Sequence, residues 1–230
     1  MMLQTLLGYI SLSAYFASLS LILPLIIGSI RLKELKPQKL LPIFVYVCIY
    51  AIFEIIAWYY VLNAWQNHFI GNTVIYLDLF FISYYYYNLL NNSRLKIAVV
   101  ILFFISLVLI IWSHLFTEKD YNRLNSIALS IENLTITTFS LFFFYQLLNS
   151  LNITNLFTFP HFWIAVAILI YFCVIFFVDI FAEFITFNNN KAFAHSYWDI
   201  KDYLTFFHRI FLAIGLWFSI TPTQSSLSSK

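Results

Sequence analysis

The sequence predicts an all-α integral membrane protein, a bundle of seven transmembrane helices forming a single domain over residues 1–230. Three observations carry that expectation. The chain is 62% hydrophobic and only 10% charged, against about 25% charged in ordinary soluble domains. Seven apolar windows, at 5–30, 40–62, 69–90, 97–116, 126–149, 161–184 and 203–220, approach the roughly 20 residues a helix needs to cross a bilayer. The breaks between them are mostly short and polar, and the Phe- and Tyr-rich runs are far too long for barrel strands.

Taken in order, MMLQTLLGYI lacks the basic region and small-residue cleavage site of a signal peptide, so it reads as the start of a retained first span. RLKELKPQK then separates spans one and two, and NAWQNH separates two and three. Pro24 and Pro42 read as residues near span ends. Span three closes on YYYYNLLNNS and span five on FFFYQLLNSL. That likeness fits aromatic anchoring at the bilayer interface better than an internal duplication. Span four ends near His114, and TEKDYNRLN leads into span five. There Ser126, Ser130, Asn133, Thr137 and Ser140 recur at 4-3-4-3 spacing along one face, with Glu132 and Thr135 on an adjoining strip. Lipid satisfies none of these groups, which makes span five a central helix. SLNITNLFTFP precedes span six, and the longest connection, around ITFNNNKAFAHSYWDIKD, precedes span seven. Cys48 and Cys173 read as small packing residues within spans.

Charge sets the orientation. Arg31, Lys33, Lys36, Lys39, Arg94, Lys96 and Lys230 fall on one side; Lys119, Arg123, Lys191 and Lys201 fall on the other, accompanied by acids. The positive-inside rule then places the N-terminus outside and the C-terminus in the cytoplasm.

Five of the ten carboxylates lie within spans: Glu54, Asp78, Glu132, Asp179 and Glu183. Arg209 is the one basic residue of twelve that joins them. At 1.5 Å per residue, Glu54, Asp78, Glu132 and Asp179 come out roughly 10–13 Å below the outer surface, and His208 and Arg209 roughly 9–10 Å below it. Charge in hydrocarbon is costly and usually faces a bundle interior or a wet cavity. The expectation is an outward-facing acidic pocket that binds a small molecule, ion or lipid, with Glu54, Asp78, Glu132, Asp179, His208 and Arg209 as ligand contacts. The competing reading is a structural network of salt bridges and hydrogen bonds. Asp179 and Glu183 share a helix face four residues apart, so either one is protonated, or a cation or Arg209 lies between them, or Glu183 reaches the interfacial region.

Several chemistries fit poorly. There is no basic tract for nucleic acid, and no HxxxH or HExxH pair for metal, although His114, His208, Asp78 and Glu132 could supply ligands. Neither a metal, a cofactor nor a catalytic residue is assigned. A retinal-binding lysine midway through span seven is missing, Lys201 lying just outside it. With four glycines and little repetition, a transporter is poorly supported.

FPHFWIAVAILIYFCVIFF at 159–177, following FFFYQLLNS, resembles bacterial heptahelical membrane proteins of the sensor type. That resemblance is one of layout and implies an inner-membrane, sensor-like or regulatory protein working with a histidine kinase or similar output. The residues after span seven, TPTQSSLSSK, hold no such output, so signalling is expected through a separate partner within or at the lipid bilayer. The alternatives are an intramembrane lipid-modifying enzyme and an accessory subunit of a larger membrane complex.

Overall fold

The computed structural model describes residues 11–116, 124–150, 155–181 and 191–220. Helices α1 (Leu12–Ser20), α2 (Ile22–Ile30), the short α3 (Leu32–Leu35), α4 (Leu41–Leu62), α5 (His68–Leu89), α6 (Ser93–Phe116), α7 (Ser126–Ser150), α8 (Pro160–Asp179) and α9 (Lys191–Trp217) follow one another, with no strand among the described residues. Glu183, the loop basic residues Lys119 and Arg123, and the C-terminal stretch ending in Lys230 lie outside the described residues.

Local chemistry sets the boundaries. Ser11 caps α1 by accepting the Ala14 N–H, and Pro42 and Pro160 sit in the first turns of α4 and α8, where the missing N–H is harmless. Pro24 is less innocent than its sequence position suggests. It can offer no N–H to Ser20, and the helix from Leu12 to Ile30 is broken one turn earlier, at Leu21. Two helix ends are closed by left-handed residues that are not glycine, Lys39 (φ 58°) and Ala64 (φ 57°). Around Ala64, the Trp65 N–H reaches the Tyr60 carbonyl at 2.9 Å and the Ala64 N–H reaches Val61 at 3.0 Å. The Tyr60 and Trp65 rings meet edge-on at 5.4 Å, which completes a Schellman motif with its apolar contact.

Among the described residues, five helical stretches are long and apolar enough to cross a membrane: Leu12–Ile30, Leu41–Leu62, Ser93–Phe116, Ser126–Asn149 and Pro160–Asp179. This is a multi-pass membrane protein by length and composition, and its apolar surfaces suit contact with a bilayer. Helices α5 and α9 are long enough, at 22 and 27 residues, but lie outside that set. Their polar side chains, Asn72 and Asp78 in one and Lys201, His208 and Arg209 in the other, lower the hydropathy.

Packing explains where those side chains go. Helix α4 packs on α5, α5 on α7, α7 on α8, α8 on α9, and α9 on α1 and α2, while α2 returns to α4. The helices thus close a ring, and α6 leans on it from outside against α5 and α7. The most apolar stretch, within α6, is 17% buried, whereas the window in α7 is 50% buried. A helix that is apolar all round suits lipid, and a polar one must be covered by protein. One end of the ring is filled by Ile43, Val47, Ile82, Phe139, Ile168 and Leu216.

Small residues let α8 and α9 approach closely. A Cβ added at Gly215 would meet Ile164 Cγ1 at 2.5 Å and the Pro160 carbonyl oxygen at 3.1 Å. One of those neighbours is backbone and cannot turn aside as a side chain can. Gly215→Val is therefore expected to destabilise the bundle by about 1–3 kcal/mol, read as a lower thermal midpoint. A midpoint equal to wild type would show that the α8–α9 contact is looser than this.

Candidate functional site

The polar residues lie in the other half of the ring, and α9 supplies both cations. Asp179, near the end of α8, is 1% exposed. Its Oδ1 accepts from the Tyr197 hydroxyl at 2.8 Å and from Lys201 Nζ at 3.1 Å, and its Oδ2 accepts from Asn133 Nδ2 at 2.9 Å. Lys201 also donates to the Tyr197 hydroxyl at 3.2 Å. One carboxylate thereby ties α7, α8 and α9 together.

Arg209 makes the second knot. Its Nη2 donates to Glu54 Oε2 at 2.8 Å, and its Nη1 donates to the Ala17 carbonyl. That carbonyl sits beside the break at Leu21, where a disturbed helix leaves oxygens in need of donors. Glu54 Oε1 accepts from Ser18 at 2.6 Å, and Ser18 in turn accepts from Trp58 Nε1 at 2.8 Å. The guanidinium also stands 5.3 Å from the centre of the Tyr50 ring. Arg209 thus joins α9 to both α1 and α4.

Asp78 of α5 and Glu132 of α7 form the third group, and no cation among the described residues pairs with either. The two carboxyls and the Tyr46 hydroxyl of α4 stand close enough to act on one another electrostatically. Two buried carboxyls sharing one site do not readily both ionise, so one proton is held between them. Asp78 is 7% and Glu132 3% exposed, and Asp78 Oδ1 and Glu132 Oε1 have no hydrogen-bond partner among the described residues.

These groups surround three neighbouring spaces. A cavity of about 240 Å³ is lined by Glu54, Asp78, Glu132, Asn133, Asp179 and Lys201 among others, and it extends to Asn67, His68 and Leu124 where α5 and α7 begin. A second, of about 260 Å³, shares Tyr50, Glu54, Tyr171, Trp198 and Lys201 with the first and reaches Ser18 and Arg209. A small space of about 20 Å³ lies between Asp78, Tyr171, His208 and Arg209. His208 stacks on Tyr171 with ring centres 4.7 Å apart.

At the same end of the bundle, beyond the buried charges, Ser13 Oγ lies 2.6 Å from Asp199 Oδ1 and 3.0 Å from Asp202 Oδ2. His195 Nδ1 lies 2.7 Å from the other Asp199 oxygen. The Ser13 bond first, and His195 after it, hold the Asp199 carboxyl below its ordinary range. A depressed carboxyl stabilises the fold above its unfolded-state pKa and loses that contribution as pH falls through the lowered value.

All six residues expected as ligand contacts, Glu54, Asp78, Glu132, Asp179, His208 and Arg209, therefore border these three spaces. Arg209 does not neutralise Asp179, as the sequence suggested it could; Lys201 does, and Arg209 belongs to Glu54. Lys201 is the residue that sequence reading missed. It stands among loop acids and outside the apolar window, and its spacing from Tyr197, one helical turn, was the available signal. The span-five stripe divides by position: Asn133 bonds Asp179, while Ser140 meets the Tyr86 hydroxyl at 2.8 Å and Thr135 of the adjoining strip meets Ser106 at 2.6 Å. The latter two are helix–helix contacts away from the cavity. No group of three or more His, Cys, Asp or Glu comes together to hold a metal among the described residues.

The chain matches no protein-family model, and comparisons with curated proteins and with solved structures find no match.

Proposed function

We propose that this protein is a seven-span, sensor-like membrane protein whose outward-facing polar cavity binds a small molecule and biases a separate signalling partner. The N-terminus is placed outside and the C-terminus in the cytoplasm of a bacterial inner membrane. The observation that carries the reading is the position of both buried cations on α9. Lys201 clips that helix to Asp179 of α8, and Arg209 clips it to Glu54 of α4. Both pairs border the cavities. A ligand that hydrogen-bonds to Glu54 or Asp179 competes directly for the groups that fix α9. Two arrangements of that helix then bind ligand differently, which is the thermodynamic requirement for a signal. Helix α9 leads to the expected cytoplasmic end, where a partner such as a histidine kinase would read its position.

Weakening one clip should expose the second arrangement. Spin labels at Ile55 on α4 and Phe207 on α9, both on the exposed surface, would follow the distance between the helices after Cys48 and Cys173 are replaced. In Glu54→Gln the minor arrangement is expected to rise above the ~10% that bounds a typical minor state. A single, unchanged distance distribution in wild type and variant, with any ligand screened, would reduce the polar centre to a structural network.

A further inference from the structure

The cavity's charge balance says what kind of molecule it takes. Lys201 and Asp179 cancel, as do Arg209 and Glu54. Asp78 and Glu132 are left without an ion-pair partner among the described residues, and Lys201, bonded to Asp179, acts on them only at a distance; with one proton between them they carry a single negative charge. Each is more than nine-tenths buried, each lines the 240 Å³ cavity, and each keeps one carboxyl oxygen without a partner. Unpartnered buried oxygens are expensive, and a donor brought by a ligand would satisfy both at once.

The same cavity is walled by Tyr50, Phe53, Tyr171 and Trp198. Aromatic faces attract organic ammonium groups. The volume corresponds to roughly eight waters at about 30 Å³ each, which is room for a small organic molecule and far more than a bare ion occupies. The titratable and polar groups facing the pair from the surrounding helices are Tyr46, Tyr50 and Glu54 on α4, Asn133 on α7, Asp179 and Tyr171 on α8, and Lys201, His208 and Arg209 on α9.

Building on the sensor reading above, we infer that the Asp78–Glu132 pair is a binding site for a primary ammonium group, whose entry displaces the proton the two carboxyls share. The ammonium donates to both carboxylates in place of that proton, so one cation is taken up and one proton is released. The ammonium belongs either to a free amine or to the headgroup of an aminophospholipid.

Isothermal titration calorimetry on the full chain tests this, with ethanolamine as probe and the protein in nanodiscs of phosphatidylcholine and phosphatidylglycerol. Repeating the titration in two buffers of different ionisation enthalpy counts protons without any variant. The expected result is saturable binding with release of close to one proton, weakened at least tenfold in Glu132→Gln and in Asp78→Asn. In a second arm, nanodiscs also contain phosphatidylethanolamine. Its retention on the wild-type protein but not on Glu132→Gln, with free ethanolamine ignored, would assign the same site to a lipid headgroup. Absence of binding in both arms overturns the inference, as does binding without proton release or binding that Glu132→Gln leaves intact. If instead a neutral or anionic compound binds and Arg209→Gln or Lys201→Gln abolishes it, the ammonium inference falls while ligand sensing stands.

Discussion

Replacing Asp179 by alanine is expected to destabilise the bundle by about 3 kcal/mol, the largest effect of any single change considered. The substitution removes the acceptor of three donors and deprives the Lys201 ammonium of its ion-pair partner. Breaking a buried ion pair by deleting one partner costs about 3–5 kcal/mol, and the 18% exposure of the Lys201 side chain puts this pair at the low end. Hydrogen bonds between membrane helices contribute only about 0.6 kcal/mol on average, so the orphaned charge, not the lost bonds, dominates. Asp179→Asn combined with Lys201→Gln should therefore recover more than half of the loss in thermal unfolding measurements. If the double variant is no more stable than Asp179→Ala, the pair is not the source of the effect.

Arg209→Met should follow, at about 2–3 kcal/mol. Its side chain is 5% exposed, but the Glu54 side chain it abandons is 23% exposed and keeps its bond to Ser18. The stranded carboxylate is thus partly relieved by solvent and costs less than a fully buried one. The Ala17 carbonyl loses a donor as well but keeps the Ser20 hydroxyl at 2.6 Å, so this loss adds little. Arg209→Lys should restore only part of this, because an ammonium cannot fork between Glu54 and Ala17 while stacking on Tyr50. Thermal midpoints in the order wild type, Lys, Met would support the two-partner role. Equal midpoints for Lys and wild type would reduce Arg209 to a point charge.

The two effects differ in what they do to α9. Losing Asp179 frees it from α8, and losing Arg209 frees it from α1 and α4. A protein that used these residues only for stability would show loss of unfolding free energy without a new helix arrangement. The spin-label distances separate that outcome from a sensor whose helix moves.

Much of the site was legible because intramembrane charge has few places to go. Glu54, Asp78, Glu132 and Asp179 stand in long apolar stretches, and simple rise per residue set them at one depth. Helix type and approximate bounds were equally plain from apolar length: the window 40–62 became Leu41–Leu62, and 126–149 became Ser126–Ser150. The break at Leu21 was less so, since Pro24 was read as a span-end residue while its effect falls on the preceding turn. Lys201 was hidden for a different reason. Hydropathy averages over a window, and the turn carrying Asp199, Lys201 and Asp202 reads as loop, yet α9 runs through it from Lys191.

Composition and periodicity by themselves determined that the chain is helical and that it is suited to a membrane, because each of these is a property of one segment meeting lipid. Which carboxylate finds which partner was decided only by the closing of the ring. Asp179 meets Lys201, Glu54 meets Arg209, and Asp78 and Glu132 are left with each other. Pairing depends on which helix faces are brought within hydrogen-bonding distance, about 3 Å, and no single segment carries that information.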